Sequence, residues 1–216
     1  MPYANISFFD LDHTLLKVNG SFQFGMYLYR TGLIPTPKMI VLLAQYALHK
    51  WNFISPEKLN NTACKNFFSG RCLQDIEIKV DSFLEKHFED LLSLPIIKKL
   101  GEAHEKGHFT VILSTSPHFL VEPIAKRLGV NAWDSTRYAV NSSGDISHIE
   151  SHMDGNSKAL YVKSLCKELQ VPIENTTAYS DSYYDLNFLK AAGVAKVVNP
   201  DRKLRNYSLE NNWEIL

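Results

Sequence analysis

Two aspartates lie two residues apart at the end of an apolar run near the start of the chain. The run covers residues 5–9, and Asp10 and Asp12 follow it. Such a run is typical of a strand buried in a parallel sheet, and open α/β sheets bind ligands at the carboxyl ends of their strands. Two carboxylates placed there repel each other unless they share a proton or bind a cation. The pair therefore indicates metal-assisted chemistry, with a solvated turn as the alternative.

Ser114 and Thr115 follow a second apolar strand, which is predicted over residues 109–113. Their hydroxyl and backbone N–H groups would face the same edge of the sheet as Asp10, and such groups at a helix start bind anions. An ordinary helix N-cap before Pro117 is the alternative interpretation. The segment by itself leaves both interpretations open.

Three charged residues occupy two further predicted helix starts. Lys158 stands at a helix N-terminus, where the helix dipole disfavours a cation, so it is either simply solvated or has another reason to be there. Asp181 and Asp185 lie four residues apart after a short predicted strand. Taken singly, Asp181 fits an N-cap and Asp185 fits an acidic residue of a first helical turn. Four such coincidences at strand ends favour one shared site.

Length and composition predict a folded α/β chain. The 216 residues are 45% hydrophobic, which is enough for a proper core. Lys plus Arg and Asp plus Glu balance at 23 each, so a nucleic acid is not an expected partner. No transmembrane segment is expected, because no apolar run approaches the length of about 20 residues that spans a bilayer. The start lacks a signal-peptide pattern, which favours a cytoplasmic protein. The oligomeric state stays open, with a homo-oligomer among the alternatives.

Neither the cysteines nor the histidines predict a zinc site. Cys64, Cys72 and Cys166 are scattered and are expected to be reduced thiols. His148 and His152 have a ligand-like spacing but no clustered partner. His13 and His118 adjoin the predicted site without being required by its chemistry.

The periodicity predicts a helical insertion followed by alternating strands and helices. Residues 17–92 are rich in helical patterns, and Ser55 followed by Pro56 marks one helix start. From residue 95 onward, strands are predicted over 109–113, 176–179 and 194–198. Helices are predicted over 95–104, 117–128, 157–170 and 185–192, and a hairpin is predicted over 137–149. Strands separated by helices imply a parallel sheet with helices on both faces.

With these motifs in one chain, the sequence resembles the haloacid dehalogenase superfamily of phosphohydrolases, in the subfamily IB branch related to phosphoserine phosphatase. Residues 8–15, Phe-Phe-Asp-Leu-Asp-His-Thr-Leu, are similar to the family's Asp-x-Asp-x-Thr motif, and residues 111–114 are similar to its second motif. Lys158 stands where the third motif has lysine. Residues 179–185 are similar to the fourth motif, Gly-Asp-x-x-x-Asp, with Ser180 in place of glycine. Residues 197–213 also resemble the end of this branch.

The resemblance implies a fold and a division of the chain. The expected fold is α/β, a Rossmann-like parallel sheet core with an inserted all-helical cap domain. Residues 1–16 and 93–216 would form the catalytic core, and residues 17–92 would form the cap. In this branch the cap closes over the core and selects the substrate.

The resemblance also implies the reaction and its residues. The expected enzyme is a Mg²⁺-dependent phosphatase that hydrolyses a small-molecule phosphate ester. Asp10 would be the nucleophile that forms an aspartyl-phosphate, and Asp12 would be the general acid and base. The resemblance assigns catalysis to Asp10, Asp12, Ser114 and Lys158. It assigns the binding of Mg²⁺ to Asp10, the Asp12 carbonyl, Asp181 and Asp185. It assigns phosphate binding to Ser114, Thr115, Lys158 and the Leu11 backbone.

The identity of the substrate stays open at this stage. Phosphoserine phosphatases hold the serine amino group with a cap glutamate nine residues after the nucleophile, and Asn19 occupies that position, so phosphoserine is not the preferred substrate. Aromatic residues of the insertion would suit a less polar leaving group, even a lipid phosphate, although helix packing explains them as well: Phe22, Phe24, Tyr27, Tyr29, Trp51 and Phe53. A phosphotransferase and a phospho-accepting receiver module are the alternative functions, and the long cap and Asp12 argue against the receiver.

Overall fold

The structure, a computed structural model, describes residues 3–50 and 53–216. Within them, seven strands form one sheet in the order β4-β3-β2-β1-β5-β6-β7. The strands are β1 Ile6–Phe9, β2 Phe109–Pro117, β3 Ala132–Val140, β4 Ile146–Ser151, β5 Thr176–Ser180, β6 Val194–Val197 and β7 Glu214–Ile215. The helices are α1 Gly20–Arg30, α2 Thr36–Lys50, α3 Pro56–Ala63, α4 Leu73–Leu91, α5 Leu94–Glu105, α6 His118–Leu128, α7 Gly155–Leu169, α8 Leu186–Ala191 and α9 Arg202–Glu210.

Strand β1 lies at the centre of the sheet because its side chains are apolar on both faces. It pairs in parallel with β2 and β5, so that Phe9 lies opposite both Ile112 and Tyr179. Phe8 and Phe9 are fully buried on opposite faces. All the other strand pairs are parallel except β3 with β4, which is the predicted hairpin. The predicted α/β fold with a mostly parallel sheet is confirmed.

Two apolar clusters cover the two faces of the sheet. The cluster containing Phe8 includes Val162 of α7, Phe188 of α8 and Leu204 of α9. The cluster containing Phe9 includes side chains of α5 and α6 and continues into helices α1, α2 and α4. Helices therefore lie on both faces, as the alternation of elements predicts, and residues 17–92 add their apolar side chains to only one of the two clusters.

The helical insertion leaves and rejoins the sheet region at adjacent points. Leu16 and Leu92 form an isolated antiparallel bridge, and the Ser93 N–H donates to the Leu15 carbonyl at 2.8 Å. Helices α1 to α4 lie between these points. Ser55 caps α3 as predicted, because its hydroxyl accepts from the Lys58 N–H at 3.2 Å.

Three details of the fold differ from the sequence-based predictions. Strand β2 continues to Pro117, beyond the predicted end at residue 113, because β3 extends the ladder by pairing Ser114 with Ser135. Helix α6 therefore starts at His118, and no side chain caps it, so the helix N-cap interpretation of Ser114 and Thr115 is wrong. Helix α9 and strand β7 were not predicted; Leu204 is the one fully buried apolar side chain of the polar helix α9.

Gly155, the first residue of α7, allows this helix to approach the segment after β5. A Cβ atom at Gly155 would lie 2.2 Å from the Tyr184 carbonyl oxygen and 3.3 Å from the Asp185 Cα. Both contacts are with backbone atoms, so a side chain at residue 155 would force one of the two segments to move. This close approach places the first turn of α7, with Lys158, against Asp185.

We predict that Gly155→Ala destabilises the fold by about 1–3 kcal/mol, because the added methyl group overpacks a backbone contact. Gly101→Ala in α5 is the matched control, since a Cβ there meets nothing within 4 Å. The control should be neutral or stabilising by up to about 1 kcal/mol, because alanine favours a helix over glycine. Denaturant unfolding of both variants measures the difference. Equal stabilities would show that α7 does not depend on this contact.

Candidate active site

The four predicted motifs converge at the carboxyl edge of the sheet. Asp10 follows β1, and its N–H donates to the Tyr179 carbonyl at 2.9 Å. Asp181 follows the neighbouring strand β5, and its carbonyl accepts from the Asp201 N–H at 3.0 Å. Because β1 and β5 are parallel and in register, their terminal carboxylates come to the same edge.

Lys158 lies between two of these carboxylates. Its ammonium donates to Asp10 Oδ1 at 2.6 Å and to Asp185 Oδ2 at 2.7 Å, and its side chain is fully buried. Burial disfavours the ammonium, but the two carboxylates outweigh that effect and hold the pKa of Lys158 above its usual value. The Ser180 hydroxyl donates to the same Asp185 oxygen at 2.7 Å. The serine that replaces the motif's glycine thus adds a hydrogen bond to the site.

The carboxylates of this site are hard to ionise together. Burial raises the pKa of Asp10 to about 7, and the charge of Asp185 adds to the shift although Lys158 opposes it. Burial also raises the pKa of Asp181 well above its usual value, with Asp10 and Asp185 as the next causes. No described lysine, arginine or histidine forms an ion pair with Asp181. The site therefore has an excess of negative charge that one ammonium does not balance.

Asp12 has only neutral hydrogen-bond donors. Its Oδ1 accepts from the Gly20 N–H at 2.6 Å, and its Oδ2 accepts from the Ser116 hydroxyl at 2.6 Å. The Ser116 hydroxyl also lies 2.6 Å from that of Ser21, at the start of α1. Burial raises the pKa of Asp12, and the bonds from Ser116 and Gly20 oppose the shift. A buried carboxyl that keeps its proton more readily suits a proton donor.

The phosphate-binding residues expected from the sequence are brought together only in part. Thr115 and Lys158 line the cavity above Asp10, but Ser114 does not. The Ser114 side chain is fully buried, and its hydroxyl accepts from the Ser116 N–H at 3.1 Å. Leu11 is also fully buried, in the tight turn that follows β1. Leu11 and Ser114 are sequence neighbours of residues that line the cavity. Phosphate binding by the Leu11 backbone and by the Ser114 hydroxyl stays a prediction.

A cavity of about 520 Å³ opens over these residues. Its floor contains Asp10, Asp12, Asp181 and Asp185, and its walls include residues of α1, α2 and α3. The volume lies within the usual range of about 300–1,000 Å³ for small-molecule sites. The motif carboxylates therefore face a space that is large enough for a phosphate ester with a sizeable leaving group.

The donor set fits a hard divalent cation. Among the described residues, no three acidic, histidine or cysteine side chains converge as a ready-made metal centre. Mg²⁺ needs fewer protein ligands than that, since it keeps several waters and is commonly held by one or two carboxylates. Asp10 and Asp181 with the Asp12 carbonyl would be such a set, and a bound cation would oppose the burial and mutual repulsion that raise the pKa values of these two aspartates. Asp185 is already bonded to Lys158 and Ser180.

The histidines take no part in a described metal cluster. His152 lies 3.9 Å from Glu57, and the His148 ring contacts the Ser147 hydroxyl. His13 lines the cavity, whereas His118 does not, because its Nδ1 accepts from the Tyr138 N–H at 3.2 Å. The three cysteines are free thiols, as expected.

Comparison with known proteins identifies the family. The profile described as haloacid dehalogenase-like hydrolase matches residues 7–190, which include all four motifs. The chain belongs to this family. The resemblance and the hydrolase class expected from the motifs are confirmed. Among the described helices, none has the length and hydropathy that crossing a bilayer requires.

Similar proteins place this family member among the phosphatases. A probable phosphatase of Mycobacterium tuberculosis is 28% identical over 97% of this chain and 74% of its own length. The phosphoserine phosphatase SerB1 of the same organism is 27% identical over 97% of this chain and 69% of its own length. The haloacid dehalogenase-like protein is thus similar to phosphatases, among them one of the branch named for phosphoserine phosphatase.

Solved structures share the fold. A protein of unknown function from Bordetella pertussis has a TM-score of 0.85 at 20% identity and covers 98% of this chain and 97% of its own. A phosphoserine phosphatase solved as a phospho-aspartyl intermediate analogue has a TM-score of 0.65 at 15% identity, covering 99% of this chain and 92% of its own. At these identities the likeness concerns the fold of the phosphatase.

Sequence reasoning missed Ser116, Ser21 and Gly20, the donors around Asp12. They have no motif of their own, and the contact between Ser116 and Asp12 joins residues 104 positions apart. The one usable signal was the position of Ser116 two residues after Ser114, which places both near the end of β2.

We predict that Lys158→Met lowers the free energy of unfolding by about 3–5 kcal/mol near pH 8, because it leaves buried carboxylates without their cation. The loss of stability should be smaller near pH 5, because Asp10 is then protonated and no longer needs a cation. Asp10 is protonated there in the folded state because its pKa is raised above that of the unfolded chain. Lys163→Met, on an exposed position of α7, is the matched control. Urea unfolding at both pH values measures the effect, and equal losses at the two would contradict the electrostatic explanation.

Proposed function

We propose that the protein is a Mg²⁺-dependent phosphomonoesterase that forms an aspartyl-phosphate on Asp10. The observation that carries the proposal is the buried contact between Lys158 and both Asp10 and Asp185, because it gathers three of the four motifs at one sheet edge. The family membership and the phosphatase relatives support the reaction class. Within residues 3–50 and 53–216, no other set of buried charged side chains faces a cavity in this way.

In the first half-reaction an Asp10 carboxylate oxygen attacks the phosphorus atom. The bond from Asp10 to phosphorus forms, and the bond from phosphorus to the leaving oxygen breaks. Asp12 gives its proton to that oxygen, so the product leaves as a neutral alcohol. The raised pKa of Asp12 favours the protonated form that this step needs.

In the second half-reaction a water molecule attacks the phosphorus atom of the aspartyl-phosphate. Asp12, now ionised, takes a proton from the water, and the bond from phosphorus to Asp10 breaks. Asp10 and the protonated Asp12 are then restored. One carboxyl group acts as acid and then as base, and its bonds from Gly20 and Ser116 hold it in place for both steps.

Cations and N–H groups compensate the charge of the phosphoryl group. A carboxylate and a phosphate charge about 4 Å apart repel by about 4 kcal/mol at an effective dielectric constant near 20, so attack by Asp10 requires positive charge nearby. Lys158 supplies one such charge, and Mg²⁺ held by Asp10, Asp181 and the Asp12 carbonyl would supply the rest when bound. Backbone N–H groups at Leu11 and Thr115 and the Ser114 hydroxyl would complete the phosphate site.

Residues 17–92 would act as the cap domain of this enzyme. The antiparallel bridge between Leu16 and Leu92 brings the two connections together, which supports the proposal that the segment between them is one insertion. Side chains of this segment form one wall of the cavity over Asp10. Closure of such a lid would exclude water from the reacting groups.

We predict that Asp10→Asn lowers the turnover of an aryl phosphate by at least about a thousandfold, because an amide is not a nucleophile. The exposed Asp90→Asn is the matched control and should keep full activity. Acid quenching of wild-type protein during turnover should give a peptide containing Asp10 that carries one phosphoryl group. Turnover by Asp10→Asn, or a label on another residue, would remove Asp10 as nucleophile. Added alcohols that capture the phosphoryl group would indicate a phosphotransferase.

We predict that Mg²⁺ stabilises the protein more at about pH 8 than at about pH 5.5. The pKa of Asp10 is raised, so its contribution to the stability of the metal-free protein is present at low pH and is lost as the pH rises toward 7. Mg²⁺ binds the ionised carboxylates and competes with protons there.

Thermal melting with Mg²⁺ or chelator measures this effect. The expected shift near pH 8 is roughly 5 °C or more at a hundredfold excess over the dissociation constant. Asp181→Asn should abolish most of the shift, and Asp90→Asn should not. Equal shifts at the two pH values would contradict the assigned carboxylates.

A further inference from the structure

The upper part of the cavity is an apolar chamber. We use this name for the space enclosed by side chains of α1, α2, α3 and the turn after α3, namely Phe22, Phe24, Leu42, Leu59, Phe67 and Phe68. The rings of Phe22 and Tyr46 are stacked with their centroids 4.3 Å apart, which fixes one wall. Phe67 and Phe68 are buried on another side. The chamber residues all belong to residues 17–92, whereas the carboxylates that line the cavity come from the rest of the described chain.

The charged side chains that line the cavity come from another part of the chain, and they include Asp201, Arg202 and Lys203 as well as the motif residues. Every aspartate, lysine and arginine that lines it lies outside residues 17–92, and no described residue of that segment brings such a side chain or a glutamate into the lining. An amino acid such as phosphoserine carries an ammonium and a carboxylate on its leaving group, and burying either without a charged partner is costly. The chamber therefore does not match a zwitterionic leaving group.

The polar side chains of the chamber side already bind the protein itself. Asn19 accepts from the Phe22 N–H at 2.8 Å, as the N-cap of α1. Asn60 donates to the Thr115 carbonyl at 2.9 Å. The Ser21 hydroxyl is bonded to that of Ser116, and His49 Nδ1 is bonded to the Ile54 carbonyl at 3.0 Å. These side chains hold the helices in place, and a polar leaving group would have to compete with those bonds.

We propose that the substrate is a phosphomonoester whose leaving alcohol has an apolar body, an alkyl chain or an aromatic ring, that fills this chamber. The inference rests on the proposed function, since it assigns the leaving group of that reaction. The phosphoryl group would lie at Asp10 and Lys158, and the apolar body would extend toward Phe22 and Leu42. The sequence offered six aromatic residues for this role, of which Phe22 and Phe24 line the chamber. Tyr27 packs on Phe83, the Tyr29 hydroxyl is bonded to that of Thr36, Phe53 is exposed, and Trp51 lies outside the described residues.

The chain length of the substrate tests the chamber directly. Turnover is measured with Mg²⁺ for a series of n-alkyl phosphates from ethyl to octyl, with phosphoserine as the zwitterionic comparison. We expect kcat/KM to rise by about fourfold for each methylene that becomes fully buried, until the chamber is full, and to be lowest for phosphoserine. Alkylphosphonates, which are not hydrolysed, should bind with the same dependence on chain length in calorimetry.

Gly25 gives a variant that narrows the chamber. It lies on α1 and lines the cavity, and a Cβ there would make ordinary contact with Leu42 at 3.5 Å. Gly25→Leu should lower the ratio of octyl to ethyl phosphate kcat/KM at least tenfold. Gly101→Leu in α5 is the matched control, because a Cβ there meets open space, and should leave the ratio within twofold. If Gly25→Leu does not fold, Leu59→Ser makes the wall polar without adding bulk and should lower the ratio at least threefold.

The possible outcomes distinguish a failure of the proposed leaving group from a failure of the proposed reaction. If ethyl phosphate or phosphoserine is turned over well and kcat/KM does not rise along the alkyl series, the proposed apolar leaving group is wrong. The proposed phosphatase reaction would still hold. No turnover of any ester would overturn the proposed reaction, and phosphonate binding would still decide the chamber. If octyl phosphate is a substrate, its turnover is compared with that of a micellar lysophosphatidic acid, to tell a lipid phosphate from a soluble ester as the substrate class. Faster turnover of that lipid would indicate a lipid phosphate, and slower turnover would indicate a soluble ester.

Discussion

The buried ammonium of Lys158 requires the elements of the core to meet at one point. It lies at the N-terminal turn of a helix, where the helix dipole disfavours a cation, and its side chain is fully buried. It is tolerated there because it bonds to Asp10 after β1 and to Asp185 before α8. Removing one partner of such a buried group costs far more than a surface ion pair contributes. The close backbone contact at Gly155 follows from this requirement, since a larger residue would hold α7 away from the carboxylates.

The two aspartates of the first motif have different environments, although they are neighbours in sequence. Asp10 faces the ammonium of Lys158, whereas the Asp12 carboxyl group accepts from the Gly20 N–H and from the Ser116 hydroxyl, both of them uncharged. Different surroundings are the general means by which two carboxyl groups acquire different roles in one site. The donors to Asp12 also connect it to the helical segment, through Gly20 directly and through Ser21 and Ser116. The position of helix α1 and the position of the Asp12 carboxyl group, the proposed proton donor, are therefore physically linked.

The sequence predicted the parts of the site that depend on local pattern. Apolar strands ending in polar residues identified Asp10 and Asp181, and the unfavourable position of Lys158 at a helix N-terminus marked it as a candidate without identifying its partners. Sequence could not predict the bond between Ser116 and Asp12, because it depends on how far β2 continues and on how α1 lies over it. It also missed helix α9, which has a mostly polar sequence and is held by Leu204 and by its cap at Asp201. These features depend on tertiary contacts that no periodicity encodes.

The division of the cavity into a charged floor and an apolar chamber determines what kind of selectivity the enzyme can have. In the proposed reaction, phosphate recognition at Asp10 and Lys158 would be common to all monoesters, so discrimination would depend on the residues of 17–92. An apolar wall distinguishes homologous chains only by a modest factor per methylene, whereas a site that binds polar groups rejects analogues lacking them by several orders of magnitude. A chamber lined by Phe22, Leu42 and Phe67 would accordingly accept a range of apolar alcohols. It would still exclude zwitterionic ones, because their charges would lose water without gaining partners.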